Sequence, residues 1–326
     1  MAIIISIILI LLVYLLFNFL YKRTNSYKNE ILPYSKPMGS VPEGLDLAFF
    51  GSTYSLYGFG AYDTLQINAF SFAMPAQCLE IDNALLQKHF KKMKSGATVI
   101  FCVAACLSFY RFSQVKNKSV YYSMLRPTEI SGFSISALFK GVFPLWGRRI
   151  KSGFRIINDT KRFRDIYVPF EKYISPEQMD KNMKSMADGW ITLFGLKNLK
   201  ERDTSETNSA NLSYNATILN GMISMCMQYQ LNPVIIIPPF SSKLNQYFAS
   251  EFLDNSLYSL IVKAKGDLKV PVLDYRLDKD FQSNFNLFLD GGFRLNRVGS
   301  RRFIKKVFED LNHKGYHLTN QTLAKA

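Results

Sequence analysis

Leu45-Asp46-Leu47-Ala48-Phe49-Phe50-Gly51-Ser52-Thr53-Tyr54-Ser55-Leu56-Tyr57-Gly58-Phe59 is the stretch from which the fold follows. It opens with a short apolar run, the pattern of a buried parallel strand. The run breaks at Gly51-Ser52, where glycine permits a tight turn and leaves a hydroxyl at the strand's C-terminal end. In open α/β sheets that end is where ligands bind. A serine there has two readings. It closes the strand as a turn residue, or it is a nucleophile if a base reaches it, with backbone N–H groups left for a developing oxyanion.

Downstream, the alternation from Asp63 to Phe70 predicts a strand. Leu79, Leu85, Leu86, Phe90 and Met93 share one face of a helix expected over 77–93. His89 lies on that helix beside a lysine run and is expected in solvent. Thr98 to Ala104 is a second buried-strand run, which completes a right-handed βαβ unit. From 109 to 172 the pattern is weak, and an irregular or helical insertion is expected, whose basic and aromatic residues suit a lid, a sugar polymer or a membrane surface.

Ser175-Pro176-Glu177 starts a helix to about Gly189. A polar loop over 200–208 leads to an amphipathic helix over 210–230. A strand over 233–237, a short helix over 243–252 capped by Ser241, a strand over 269–275 and a last helix over 300–312 follow. The alternation predicts a doubly wound parallel α/β sheet with helices on both faces, flavodoxin-like in its winding.

Ala2 to Tyr21 is almost wholly apolar and matches the roughly 20 residues of a membrane-crossing helix. With no basic n-region and no small-residue cleavage site, it reads as an uncleaved anchor rather than a signal peptide. The expected organisation is an anchor over 1–21, a proline-bearing stalk over 22–44, an α/β domain over 45–312 and a tail over 313–326. Lys22, Arg23 and Lys28 follow the anchor, and by the positive-inside rule they hold the domain in the cytoplasm. Five Asn-x-Ser/Thr triplets, at Asn117, Asn158, Asn211, Asn215 and Asn320, do not decide the side.

Forty basic against 25 acidic residues leave the 326-residue chain at +15, a balance that favours anionic partners such as phospholipid headgroups or acidic polysaccharides. No recognition motif accompanies the charge, so nucleic acid is not an expected partner. Cys78, Cys102, Cys106 and Cys226 form no CxxC pair and the three histidines are scattered. Buried free thiols are expected, with no metal site and no cofactor.

Taken in order, the strand ending in Phe50-Gly51-Ser52, the strand-Pro238-Pro239 run, and Asp290 to Gly299 with Leu295-Asn296-Arg297-Val298-Gly299 before the last helix together resemble the SGNH/GDSL hydrolase superfamily. The resemblance covers roughly 46–311 and is nearest the membrane-anchored branch of bacterial envelope polysaccharide and teichoic acid modification. It implies an extracytoplasmic domain, against the flanking charges. It implies acyl-ester hydrolysis or O-acyl transfer, with Ser52 as nucleophile and Asp290 as the acid of the triad. Gly51, Ala76, Arg294 and Asn296 fall at oxyanion or substrate positions.

Four departures qualify that implication: Ala76 stands where a glycine donor is expected, Asp290 lies four rather than three residues before the base position, and two more concern an asparagine and the base itself. The asparagine expected after the second strand is absent from Ala105-Cys106-Leu107-Ser108. Arg294 stands where the histidine base should be, and arginine stays protonated. Two functions therefore stand side by side: a serine esterase or O-acyltransferase with a degenerate triad, and a non-catalytic pseudoenzyme that binds or scaffolds an anionic cell-envelope glycan or teichoic acid.

Overall fold

In the computed structural model the described residues are 1–25, 27, 41–115, 118–122, 124–130, 132, 134–146 and 175–316. Most of the expected stalk, the second half of the 109–172 segment and most of the tail lie outside them. The chain divides into two compact units: Met1–Ser40 with Lys116–Tyr167, and Val41–Val115 with Val168–Ala326.

The larger unit is built on five parallel strands: β1 (Leu45–Gly51), β2 (Ala69–Ser71), β3 (Met93–Cys102), β4 (Asn232–Ile237) and β5 (Val272–Asp274). They lie in the order β2-β1-β3-β4-β5, every neighbouring pair parallel. This is the flavodoxin-like winding, with its switch point between β1 and β3. Residues 109–115, the start of the expected insertion, belong to this unit.

For the smaller unit, α1 (Ala2–Arg23) is one apolar helix, long enough to cross a membrane. It is accompanied by α4 (Lys118–Tyr121) and α5 (Ile135–Val142).

Helices flank the sheet in two groups. α3 (Leu79–His89), α7 (Glu206–Gln228) and α10 (Ser259–Lys265) pack side by side, while α2 (Thr53–Gly58) packs with α12 (Arg297–His313). β1 explains the layering. Successive side chains of a strand point to opposite faces, so Phe49 stacks on Phe59 at 4.5 Å between centroids and Phe50 on Phe72 at 4.7 Å. Phe59 in turn meets Phe303 of α12, and Phe72 meets His89 of α3. Both β1 phenylalanines are fully buried.

Several expectations change. Met93, expected on the helix over 77–93, opens β3 because that helix ends at His89, and the helix expected to end near Gly189 runs to Phe194. His89 is buried against Phe72 rather than solvated; the lysines beside it turn outward while its own position falls on the packed face. The strand expected from Asp63 is a 3-10 turn over Tyr62–Thr64, and pairing with β1 begins only at Ala69. The short helix after Ser241 stops at Asn245 and resumes at Ser250, then runs through a π-helical turn over Asp254–Tyr258 to Lys265. All four cysteines are buried free thiols.

Candidate functional site

A cavity of about 240 Å³ opens at the C-terminal edge of the sheet, and its walls come from the loops that follow four strands. Ser52, Thr53 and Tyr54 follow β1, Ala76 and Gln77 follow β2, Ala105, Cys106 and Leu107 follow β3, and Phe293 and Arg294 follow β5. α6 (Pro176–Phe194) contributes Met186, Trp190, Leu193 and Phe194. The cavity therefore lies at the topological switch point, where this class of sheet binds its ligands.

Ser52 is held there by its glycine. Gly51 has φ +129°, and a Cβ on it would lie 2.7 Å from the carbonyl oxygen of Cys102 in the neighbouring strand. Because β2 is only three residues long, the amide of Gly51 finds no strand partner and donates instead to Asp82 Oδ1 of α3 at 3.0 Å. Gln77 Nε2 donates to that same oxygen and to the carbonyl of Phe72. Burial pushes the Asp82 carboxyl up to about 7, against the two hydrogen bonds that favour its ionised form.

The loop after β5 is closed by the antiparallel bridge between Phe288 and Leu295. Inside it, Asp290 Oδ1 accepts from the amides of Gly292, Phe293 and Arg294 at 2.9, 3.1 and 3.2 Å. Its other oxygen has no hydrogen bond among the described residues and faces Arg294 Nε at 3.6 Å. α6 presses on the same loop. A Cβ on Gly291, at φ +83°, would lie 2.5 Å from Met179 Cγ, and Asn182 donates to the carbonyl of Asp290.

The structure thus brings Ser52, Ala76 and Arg294 to one cavity and leaves Gly51, Asp290 and Asn296 off its lining. The Ala76 amide donates to Thr53 Oγ1 at 3.2 Å. Asn296 is the N-cap of α12, accepting from Gly299 N and donating to the carbonyl of Asn286. Among the described residues no histidine lines the cavity. Cys106 does, but burial pushes its thiol far up, so it is no thiolate at neutral pH. Among the described residues no group of three His, Cys, Asp or Glu side chains is placed to hold a metal.

Among the described residues, what the cavity lining offers is one cation among rings. Arg294 is about half exposed, with its guanidinium carbon 5.5 Å from the Phe293 ring centre and 5.8 Å from that of Tyr57. Trp190 meets Phe293 at a tilt, 6.4 Å between ring centres, and the buried Tyr54 ring lies 4.5 Å from that of Phe293. The wall from Leu107 to Tyr110 is pinned from α7, where Asn215 Nδ2 donates to the carbonyls of Leu107, Ser108 and Tyr110. That burial also takes Asn215 out of reach as a glycan acceptor in the folded chain.

The α6 residues were not among the expected site. Their signal in the sequence is the apolar set Met186, Trp190, Leu193 and Phe194 on an otherwise polar helix. Comparison with models of known protein families gave no match, and comparison with curated proteins gave none either.

Proposed function

We propose that this chain is a membrane-anchored, SGNH-like binding protein whose switch-point cavity takes an anionic unit of a cell-envelope glycan or teichoic acid. The observation that carries this reading is Arg294, a partly exposed guanidinium beside aromatic rings in the cavity lining; the resemblance, not the geometry, makes this the position of a triad's base. A guanidinium donates in a planar fork that suits phosphate and carboxylate. The rings give the apolar faces of a sugar a surface to lie on. With such a ligand the domain stands on the outer side of the membrane, which protease accessibility in intact cells checks.

The second reading, acyl transfer at Ser52, draws on the placement of that serine at the end of β1 in the cavity. It lacks a base. Asp290 spends one oxygen on three amides and turns the other to Arg294. Serine triads lose several orders of magnitude in rate without their histidine.

A fluorophosphonate probe separates the two. The binding reading predicts no labelling of the folded protein and measurable affinity for glycerol-phosphate oligomers. Labelling that disappears in Ser52→Ala would establish the second reading instead.

A further inference from the structure

We propose that α5 is an interfacial helix, lying in the surface of the same membrane that α1 crosses, on the side where Lys22 and Arg23 emerge. The proposal rests on α1 as the membrane anchor and adds a second attachment, made by the bilayer against a built apolar face.

α5 is fixed at its start and along one side. Ser134 caps it, accepting from Ala137 N, and the Ser134 amide donates to the hydroxyl of Tyr122 at 2.7 Å. Ala137 is buried, and a Cβ on Gly141 would lie 3.1 Å from the Ser119 carbonyl of α4. This packed side leaves the opposite one open. Ile135, Phe139, Val142 and Trp146 recur at spacings of four, three and four residues and are 63, 42, 48 and 51% exposed. Ser136 and Lys140 stand at the edge of this stripe, where a lysine stem can reach headgroups.

What covers the stripe follows from where α5 ends. Phe143 meets Tyr14 of α1 at 6.0 Å between ring centres, and the Leu145 amide donates to Asn18 Oδ1 at 3.0 Å. Tyr14 and Asn18 lie roughly 14 and 8 Å before Arg23 along the helix axis. Amphipathic interfacial helices bury their apolar faces about 5–10 Å into the headgroup and acyl boundary. The contact thus holds α5 near that depth, beside a helix whose apolar side chains are exposed along its length. Trp146 and Phe139, in ring contact at 5.7 Å, supply the aromatic residues that favour this layer.

The test uses the full chain in phosphatidylcholine vesicles. The chain's two tryptophans are Trp146 and Trp190. The emission of Trp146 is obtained in a Trp190→Phe protein and, independently, as the difference between the unmodified chain and Trp146→Phe. Lipids brominated near the glycerol ester should quench most of that emission, and lipids brominated near the chain end should quench it less. Ile135→Ser with Phe139→Ser should lose the quenching while the protein still floats with the vesicles.

Quenching greatest with the chain-end bromines would place Trp146 in the bilayer centre and overturn the proposal. A blue-shifted emission untouched by either lipid would mean that protein, including a second copy of the chain, covers the stripe, with the same consequence. A chain that does not float overturns the anchor together with this proposal, whereas one that floats without quenching overturns this proposal alone.

Discussion

Arg294 Nε lies 3.6 Å from Asp290 Oδ2 within a single loop, while Asp290 Oδ1 accepts from three consecutive amides of that loop. The aspartate is consumed in shaping the loop, and the arginine is what the loop shows to the cavity. Because the pair is partly exposed and longer than a hydrogen bond, its contribution to stability is about 0–1 kcal/mol. Arg294→Ala should therefore leave the denaturation midpoint nearly unchanged, and a urea titration beside the unmodified chain checks this. A large loss would mean that Arg294 is structural.

Gly51 is a position where both the backbone angle and the neighbouring strand exclude a side chain. Its φ is +129°, and a methyl group placed there would meet the Cys102 carbonyl oxygen at 2.7 Å, so alanine must both strain the backbone and part β1 from β3. Gly51→Ala should cost at least ~2 kcal/mol. Urea denaturation of the larger unit reads it.

Asp82 gives the chain a pH dependence with a definite sign. Its folded pKa, about 7, is above the ordinary 3.8. Between those values the folded chain binds more protons than the unfolded one, so this group's contribution to stability is complete below about 4 and is lost as pH rises through about 7. Asp82→Asn keeps an acceptor for the Gly51 amide and removes the buried charge. It should flatten the stability profile between pH 4 and 8 and gain on the order of a few kcal/mol at pH 8. Denaturation midpoints across that range decide; a parallel loss at every pH would contradict it.

Asn215 ties α7 to the wall of the cavity through three carbonyls. Asn215→Ala leaves those acceptors buried without their donor, and the cost should be about 2–4 kcal/mol. Amide exchange should quicken first over 107–112, the segment it pins.

The sheet was legible because its strands are continuous apolar runs with no other use. Leu47 to Phe50, Val99 to Phe101 and Val234 to Ile237 are all buried. Asp63 to Phe70 alternates as a strand does, yet its first half is turn. Asp63 is drawn to Arg297 at 2.8 Å, and only Ala69 to Ser71 reach β1. The helix from Ser250 to Lys265 does carry its period, in Leu253, Leu257, Leu260 and Ala264, but a π turn shifts the phase midway. α6 passes through Gly189, expected to end it, and stops at Gly195, whose left-handed φ of +61° closes the helix.

At the site, the placement of Ser52 could be read from the Gly-Ser break after an apolar strand. Asp82 and Gln77 could not, because their roles depend on β2 ending early and leaving the Gly51 amide unpaired. The roof supplied by α6 depends on a contact between distant chain segments, Met179 with Gly291, which no local pattern reveals.

The most direct measurement is a calorimetric titration of the vesicle-bound chain and its Arg294→Ala variant with a short glycerol-phosphate oligomer and with its uncharged, dephosphorylated counterpart. The unmodified chain should bind the anionic oligomer and not the neutral one, and Arg294→Ala should bind at least about ten-fold more weakly, the loss of one charge-assisted hydrogen-bonded contact. Equal binding by the two proteins, or equal binding of the neutral ligand, would contradict the assignment of this cavity to an anionic ligand.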